Sequence, residues 1–190
     1  MSSLLRPAIS LFIGLSVLTG IAYPLAVAGI GRLLFAEETA GSLLVVDRRS
    51  VGSRLIGQHF TDPAYFWGRP SATPARPYDA AASGASNLGP LNPALSEAVR
   101  QRIAALQAAD PGKLQRIPVD LVTASASGLD PHISPQAAAY QVERVARQRR
   151  LPPAQVSALV AAHTEGRQWG VFGEPRVNVL LLNIALDALP

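Results

Sequence analysis

From Pro7 to Gly31 the chain carries no charged residue, and Arg6 and Arg32 bracket the run. About 20 apolar helical residues cross the hydrocarbon core of a bilayer. The run exceeds that length, with room for tilt. Gly14, Gly20, Pro24 and Gly29 weaken a helix in water but are common in membrane helices. Tyr23 and Phe35 are aromatic candidates for the interface, Tyr23 lying rather deep. A basic start, an apolar run and Ala26-Val27-Ala28 also resemble a secretion signal, whose apolar core spans about 7–15 residues. The longer run here favours a retained anchor over a cleaved signal, and a soluble core helix ranks third. The chain then divides into a tail over 1–6, a transmembrane helix over 7–34 and a globular domain over 35–190. Orientation stays open, because Arg6 on one side faces Arg32, Glu37, Glu38, Arg48 and Arg49 on the other.

Beyond the anchor, chemistry is conspicuous mainly for the classes it excludes. There is no cysteine, so disulfide scaffolds and Cys-based zinc sites are ruled out. The formal charge is +4, but it is scattered, and nucleic acid is not an expected partner. The one dense cluster, Arg144, Arg147, Arg149 and Arg150, reads as the solvated end of a helix. Lys113, the only lysine, lies outside any phosphate-binding loop pattern, and no nucleophile-elbow sequence occurs. His59, His132 and His163 lack metal-ligand spacing. Asp130-Pro131-His132 near Ser125 and Ser127 offers a membrane-anchored serine hydrolase as a remote alternative; a turn is the better reading.

The pattern after the anchor is α+β: one amino-terminal transmembrane helix followed by a single mixed α/β globular domain. Leu43–Val46, Arg54–Phe60 and Val119–Ala124 read as strands. Asn92-Pro93 and Ser134-Pro135 each place a capping residue before a first-turn proline. The first helix aligns Leu95, Val99, Ile103 and Leu106 and stops at Pro111-Gly112. The second runs to about Arg149, with Glu143 spaced to pair with Arg147. Pro152-Pro153 opens a third helix, and the apolar run from Pro175 to Leu189 reads as a fourth.

Three polar segments interrupt this pattern. Tyr65-Phe66-Trp67-Gly68-Arg69-Pro70-Ser71 combines aromatics with an arginine, which suits packing under a loop or a partner contact. Ser83–Pro90 is a Gly/Ser/Asn loop that reads as a turn, with an anion cradle as the rival. Ser125–Pro135 is a polar turn before a helix, where hydroxyls ordinarily bond their own backbone.

In order, these segments resemble one family, the C subunit of the Kdp-type bacterial potassium-transporting ATPase. The matching blocks are GQHF at 57–60, YFWGRPS at 65–71, SGASNLGPLNP at 83–93, SASGLDPHISP at 125–135, YQVERVA at 140–146, HTEGR at 163–167 and GEPRVNVLLLNIALD at 173–187. Ala85 and Leu91 depart from the family pattern. The resemblance implies a non-catalytic subunit in the bacterial cell membrane. Its partners would be a channel-like potassium subunit, a P-type ATPase subunit and a small single-helix subunit. It also implies a catalytic chaperone that raises the pump's affinity for ATP. No cofactor would be held firmly, and ATP would be met only in a ternary complex with the pump. Gln141 would then touch the nucleotide, with Ser125, Ser127 and Gly128 beside it. The family is also described with the domain outside, over the potassium entrance, where cytosolic ATP is out of reach, and the resemblance favours that extracytoplasmic side. Tyr65, Phe66, Trp67, Arg69, Ser83 and Asn87 are the candidate partner interface.

Overall fold

The computed structural model describes residues 2–189. Met1 of the expected tail and Pro190 lie outside them. Two compact units divide the chain, Met1–Val51 and Gly52–Pro190. The architecture is α+β, with one long apolar helix followed by a mixed helix and sheet region.

The helical path begins at Ser2, so residues 2–6 continue the helix. It comprises α1 (Ser2–Val17), a π turn (Leu18–Ala22) and α2 (Tyr23–Leu34). The π turn has a local cause. Pro24 lacks an N–H and its ring crowds the carbonyl four residues back, at Gly20; widening the turn there relieves the clash. Over Leu4–Leu34 mean hydropathy reaches 2.0, and none of that apolar window is buried. A short helix α3 (Ala36–Thr39) follows, then strands β1 (Leu43–Val46) and β2 (Arg49–Ser53). Their two-residue connection, Asp47-Arg48, takes φ 50° and 63°, the positive angles a tight hairpin demands.

The expected strand at Arg54–Phe60 is irregular; the strand ends at Ser53. Ile56 N–H turns back to Ser53 O, and Gly57 N–H leaves for Leu129 O at 2.8 Å. A side chain at Gly57 would meet the Tyr78 ring at 2.4 Å, so the backbone is pinned to a loop instead of a ladder. Val119–Ala124 is also not a strand. Val119–Leu121 is a 3₁₀ turn whose Leu121 is fully buried. Its Asp120 carboxylate accepts from Ser134 N–H at 2.7 Å, tying the turn to the start of the next helix.

The helix α4 (Pro93–Ala109) is capped by Asn92, whose side chain accepts from Ala94 N–H. Leu106 is buried, while Leu95, Val99 and Ile103 are half-buried. After strand β3 (His132–Ile133) come α5 (Pro135–Arg149) and α6 (Pro153–Ala162), the most extensively packed helix pair of the second unit. Ser134 caps α5 through Ala137 N–H, and Arg150 closes it at φ 58°. The last run splits where a single helix was expected. Strand β5 (Arg176–Asn178) pairs antiparallel with β3 and with β4 (Thr164–Glu165). Asn178 then caps α7 (Val179–Asp187) by accepting from Leu181 N–H. The sheet order is β3-β5-β4, so β5 is central, and its Val177 is fully buried.

Candidate functional site

Residues 62–70 form neither helix nor strand, yet Phe66 and Trp67 are 0% and 6% exposed. Buried backbone without a ladder must find other partners. Here side chains of two helices supply them. From α7, Asn183 accepts from Phe66 N–H (2.9 Å) and donates to Phe66 O (3.0 Å). From α5, Gln141 accepts from Trp67 N–H (2.8 Å) and donates to Trp67 O (3.1 Å). Two primary amides thus reproduce the two-way exchange of an antiparallel pair on successive residues. Neither amide faces water, Gln141 and Asn183 both being 1% exposed.

Arginines complete the clamp. Arg144 donates to Tyr65 O (3.0 Å), to Pro63 O and to Gln141 Oε1 (2.6 Å). Its guanidinium lies 4.8 Å from the Trp67 ring centre, and that of Arg102 lies 5.2 Å away. Arg102 donates to Gly68 O (2.8 Å) and Leu121 O (3.0 Å). Arg149 donates to Ala64 O and pairs with Asp187 at 2.6 Å. The reading of this cluster as a solvated cationic end holds for Arg147 and Arg150, which are exposed, and is corrected at Arg144, which is buried, and at Arg149, which is half-buried. Arg144 is 2% exposed and serves the carbonyls of Pro63 and Tyr65. Burial pulls its pKa down to about 10, which leaves it charged at neutral pH. The expected Glu143–Arg147 pair is absent too: Arg147 reaches Asp110 (2.6 Å), and Glu143 takes Lys113 (3.1 Å).

A second assembly joins the polar loops. Ser127 O accepts from Gly84 N–H (2.9 Å) and from the Ser83 hydroxyl (3.1 Å). Gly128 O accepts from the Ser71 hydroxyl at 2.7 Å. Gly128 sits at φ 68°, and a Cβ there would lie 2.8 Å from Thr73 Cγ2 and 2.9 Å from Gly84 O; only glycine fits. Ser127 Oγ accepts from its own loop, at Leu129 N–H. Tyr78 donates its hydroxyl to Arg69 O (2.6 Å), and burial pushes its pKa up to about 12.

Beside these loops opens a cleft lined by Arg69, Asp120, Asp130, His132, Glu174 and Arg176 among others. Arg69 donates to Ala124 O (3.2 Å) and meets Asp130 at 3.4 Å. Asp130 also accepts from His132 N–H (3.0 Å) and lies 3.3 Å from His132 Nδ1. Burial alone raises a carboxyl pKa; the His132 bonds and the Arg69 charge outweigh it and hold Asp130 below its ordinary value. No group of three metal-binding side chains occurs among the described residues.

The sequence-predicted residues thus fall into distinct places. Gln141 lies under Trp67, with both amide atoms bonded to the chain. Ser127, half-buried, and Gly128, buried, are stitched into the loop assembly, and buried Ser125 accepts from Gly128 N–H within the same turn; none of the three bonds Gln141. Phe66 and Trp67 belong to the core. Tyr65 is half-buried under Arg149 (4.4 Å) and donates to Asp187. Arg69 is half-buried, and Ser83 and Asn87 are exposed. Sequence reasoning missed Asn183, Arg102 and Arg144 as clamp residues. The available signal was a lone amide amid the leucines of α7.

Comparison with known proteins matches nearly the whole chain. The family described as "KdpC: K+-transporting ATPase, c chain" matches residues 5–188. A protein of Dechloromonas aromatica (strain RCB) named "Potassium-transporting ATPase KdpC subunit" is 67% identical over 189 residues, covering 100% of this chain and 99% of its own. A protein of the same name from Variovorax paradoxus (strain S110) is 66% identical, covering 99% and 97%. Another from Polaromonas naphthalenivorans (strain CJ2) is 64% identical, covering 100% and 96%.

Proposed function

The chain belongs to the KdpC family of potassium-transporting ATPase c chains, and from that membership we propose a single-pass, non-catalytic accessory subunit of the pump. The helix over Leu4–Leu34 holds it in the bacterial cell membrane. Its globular unit, 35–190 in the sequence division, docks outside on the subunits that admit and move potassium. It assists their assembly there.

The observation that carries the docking reading is the closed state of Gln141. A residue that shares ATP with a pump needs a free polar face. This amide spends both its atoms on Trp67 and is 1% exposed. Releasing it would strip two buried backbone groups of their partners, at a cost of about 1–3 kcal/mol each. Any effect on the pump's affinity for ATP then travels through docking, not through a shared nucleotide. Ser83, Asn87, Tyr65 and Arg69 remain reachable for a partner subunit.

Sidedness tests this. The chain lacks cysteine, so one introduced thiol reports cleanly. Leu91 is 97% exposed and makes a safe site. In the assembled complex, Leu91→Cys in intact spheroplasts is expected to react with a membrane-impermeant maleimide without lysis. Protection until lysis would put the domain in the cytosol and overturn the outside docking.

A further inference from the structure

The segment between β4 and β5 takes no part in the clamp or the loop assembly. Gln168 and Phe172 bridge antiparallel, each N–H donating to the other's carbonyl at 2.9 Å. Trp169 and Gly170 make the bend at φ 52° and 75°, and Val171 N–H closes it on Gln168 O at 3.1 Å. A bulky residue in the left-handed region is strained, so the bend holds Trp169 out at a cost in backbone energy. Trp169 is 91% exposed, Val171 68% and Phe172 60%. The Trp169 and Phe172 rings meet edge to face, 6.0 Å apart. The tip is therefore built and apolar. Its charges stay at the base and neutralise one another: Arg167 with Glu174 at 2.7 Å, and Arg176 with Glu165 at 2.9 Å. From Gln168 to Gly173 there is no charge. Exposed apolar clusters of this kind mark interaction sites.

We propose that the Trp169 hairpin is a second membrane contact, its tip entering the boundary between headgroups and acyl chains of the bilayer. The inference rests on the anchored reading above. Tryptophan favours that boundary, where an apolar ring and a polar N–H are both accommodated. The paired charges at the base need no burial as the tip enters. Three side chains fall far below the roughly 800 Å² per partner of a free-standing protein interface. A tethered contact needs less, because the tether sets a high effective concentration. The tether here is the chain between the end of α2 at Leu34 and the start of the second unit at Gly52.

The test is depth-resolved quenching. The full chain is reconstituted in phosphatidylcholine vesicles, with and without brominated acyl chains. The chain has two tryptophans, and Trp67 is buried, so Trp169→Ser isolates the contribution of Trp169. Brominated lipid is expected to remove most of that contribution while aqueous iodide leaves it intact, in the chain alone and in the assembled ATPase. Quenching by iodide and not by bromine overturns the proposal. So does protection from both quenchers that appears only on assembly, which assigns the tip to a partner subunit. Alkaline carbonate extraction of the same vesicles reads the anchor separately. Chain that stays with the lipid while Trp169 answers only to iodide sinks the hairpin contact and leaves the anchored subunit standing.

Discussion

The two units place opposite chemistry against their surroundings. Along Leu4–Leu34 large apolar side chains face outward, with Phe12 73% and Leu25 68% exposed. Inside Gly52–Pro190 the most enclosed side chains include Arg144, Gln141 and Asn183. The helix satisfies its backbone internally and can leave its side chains to lipid. The domain threads an irregular segment through its core and must bring polar side chains in to serve it. A lone polar residue in an apolar run thus has a different meaning in each unit. In the helix it would be an intruder, whereas in the domain it is the substitute for a missing strand.

The sharpest way to break the comparison is Gln141→Ala. It orphans Trp67 N–H and C=O and removes an acceptor from Arg144. The expected loss is roughly 2–6 kcal/mol, a large part of the stability of such a domain. Urea unfolding of the detergent-solubilised chain measures it. A loss below about 1 kcal/mol would show that the clamp is dispensable.

Leu15→Arg attacks the other side of the comparison. A central arginine disfavours insertion by about 2.5–3.5 kcal/mol. Carbonate extraction is expected to release a substantial share of the variant chain, and full retention would deny that the run spans the bilayer.

A smaller effect concerns pH. Asp130 has a lowered folded pKa, so its contribution is present above the ordinary carboxylate value and fades as pH falls through the folded value. Stability of the native chain is expected to drop on acidification below about pH 4, and Asp130→Asn to flatten that part of the profile. Parallel profiles for the two proteins would remove Asp130 from the account.

The least effect belongs to an exposed ion pair. Arg100 and Glu97 meet at 2.9 Å on the open face of α4. Arg100→Ala is expected to change stability by no more than about 0.5 kcal/mol in the same urea titration. A larger change would mean that exposed charges contribute as the buried ones do.

The long apolar helix was legible because its signal is additive: an uncharged run of sufficient length needs no knowledge of neighbours. The helix starts at Asn92 and Ser134 were legible for a related reason, since a cap and a first-turn proline act within four residues. The order of the seven blocks likewise named the family before any geometry. The clamp was not legible. Gln141 and Trp67 are 74 positions apart, and Phe66 and Asn183 are 117 apart. Composition around Gln141 is that of any helix. Two expected strands failed where other bonds took the backbone: Gly57 N–H goes to Leu129 O, and Leu121 and Val122 N–H turn back to Pro118 O and Val119 O. The sequence by itself determined the long apolar helix, the local helix starts and the family, each through interactions along the chain or patterns within it. Only the tertiary structure decided that Gln141, Asn183 and Arg144 are interior partners of an unladdered backbone. Buried polar groups answer to whichever carbonyl and N–H the fold brings near, and sequence distance carries no record of that.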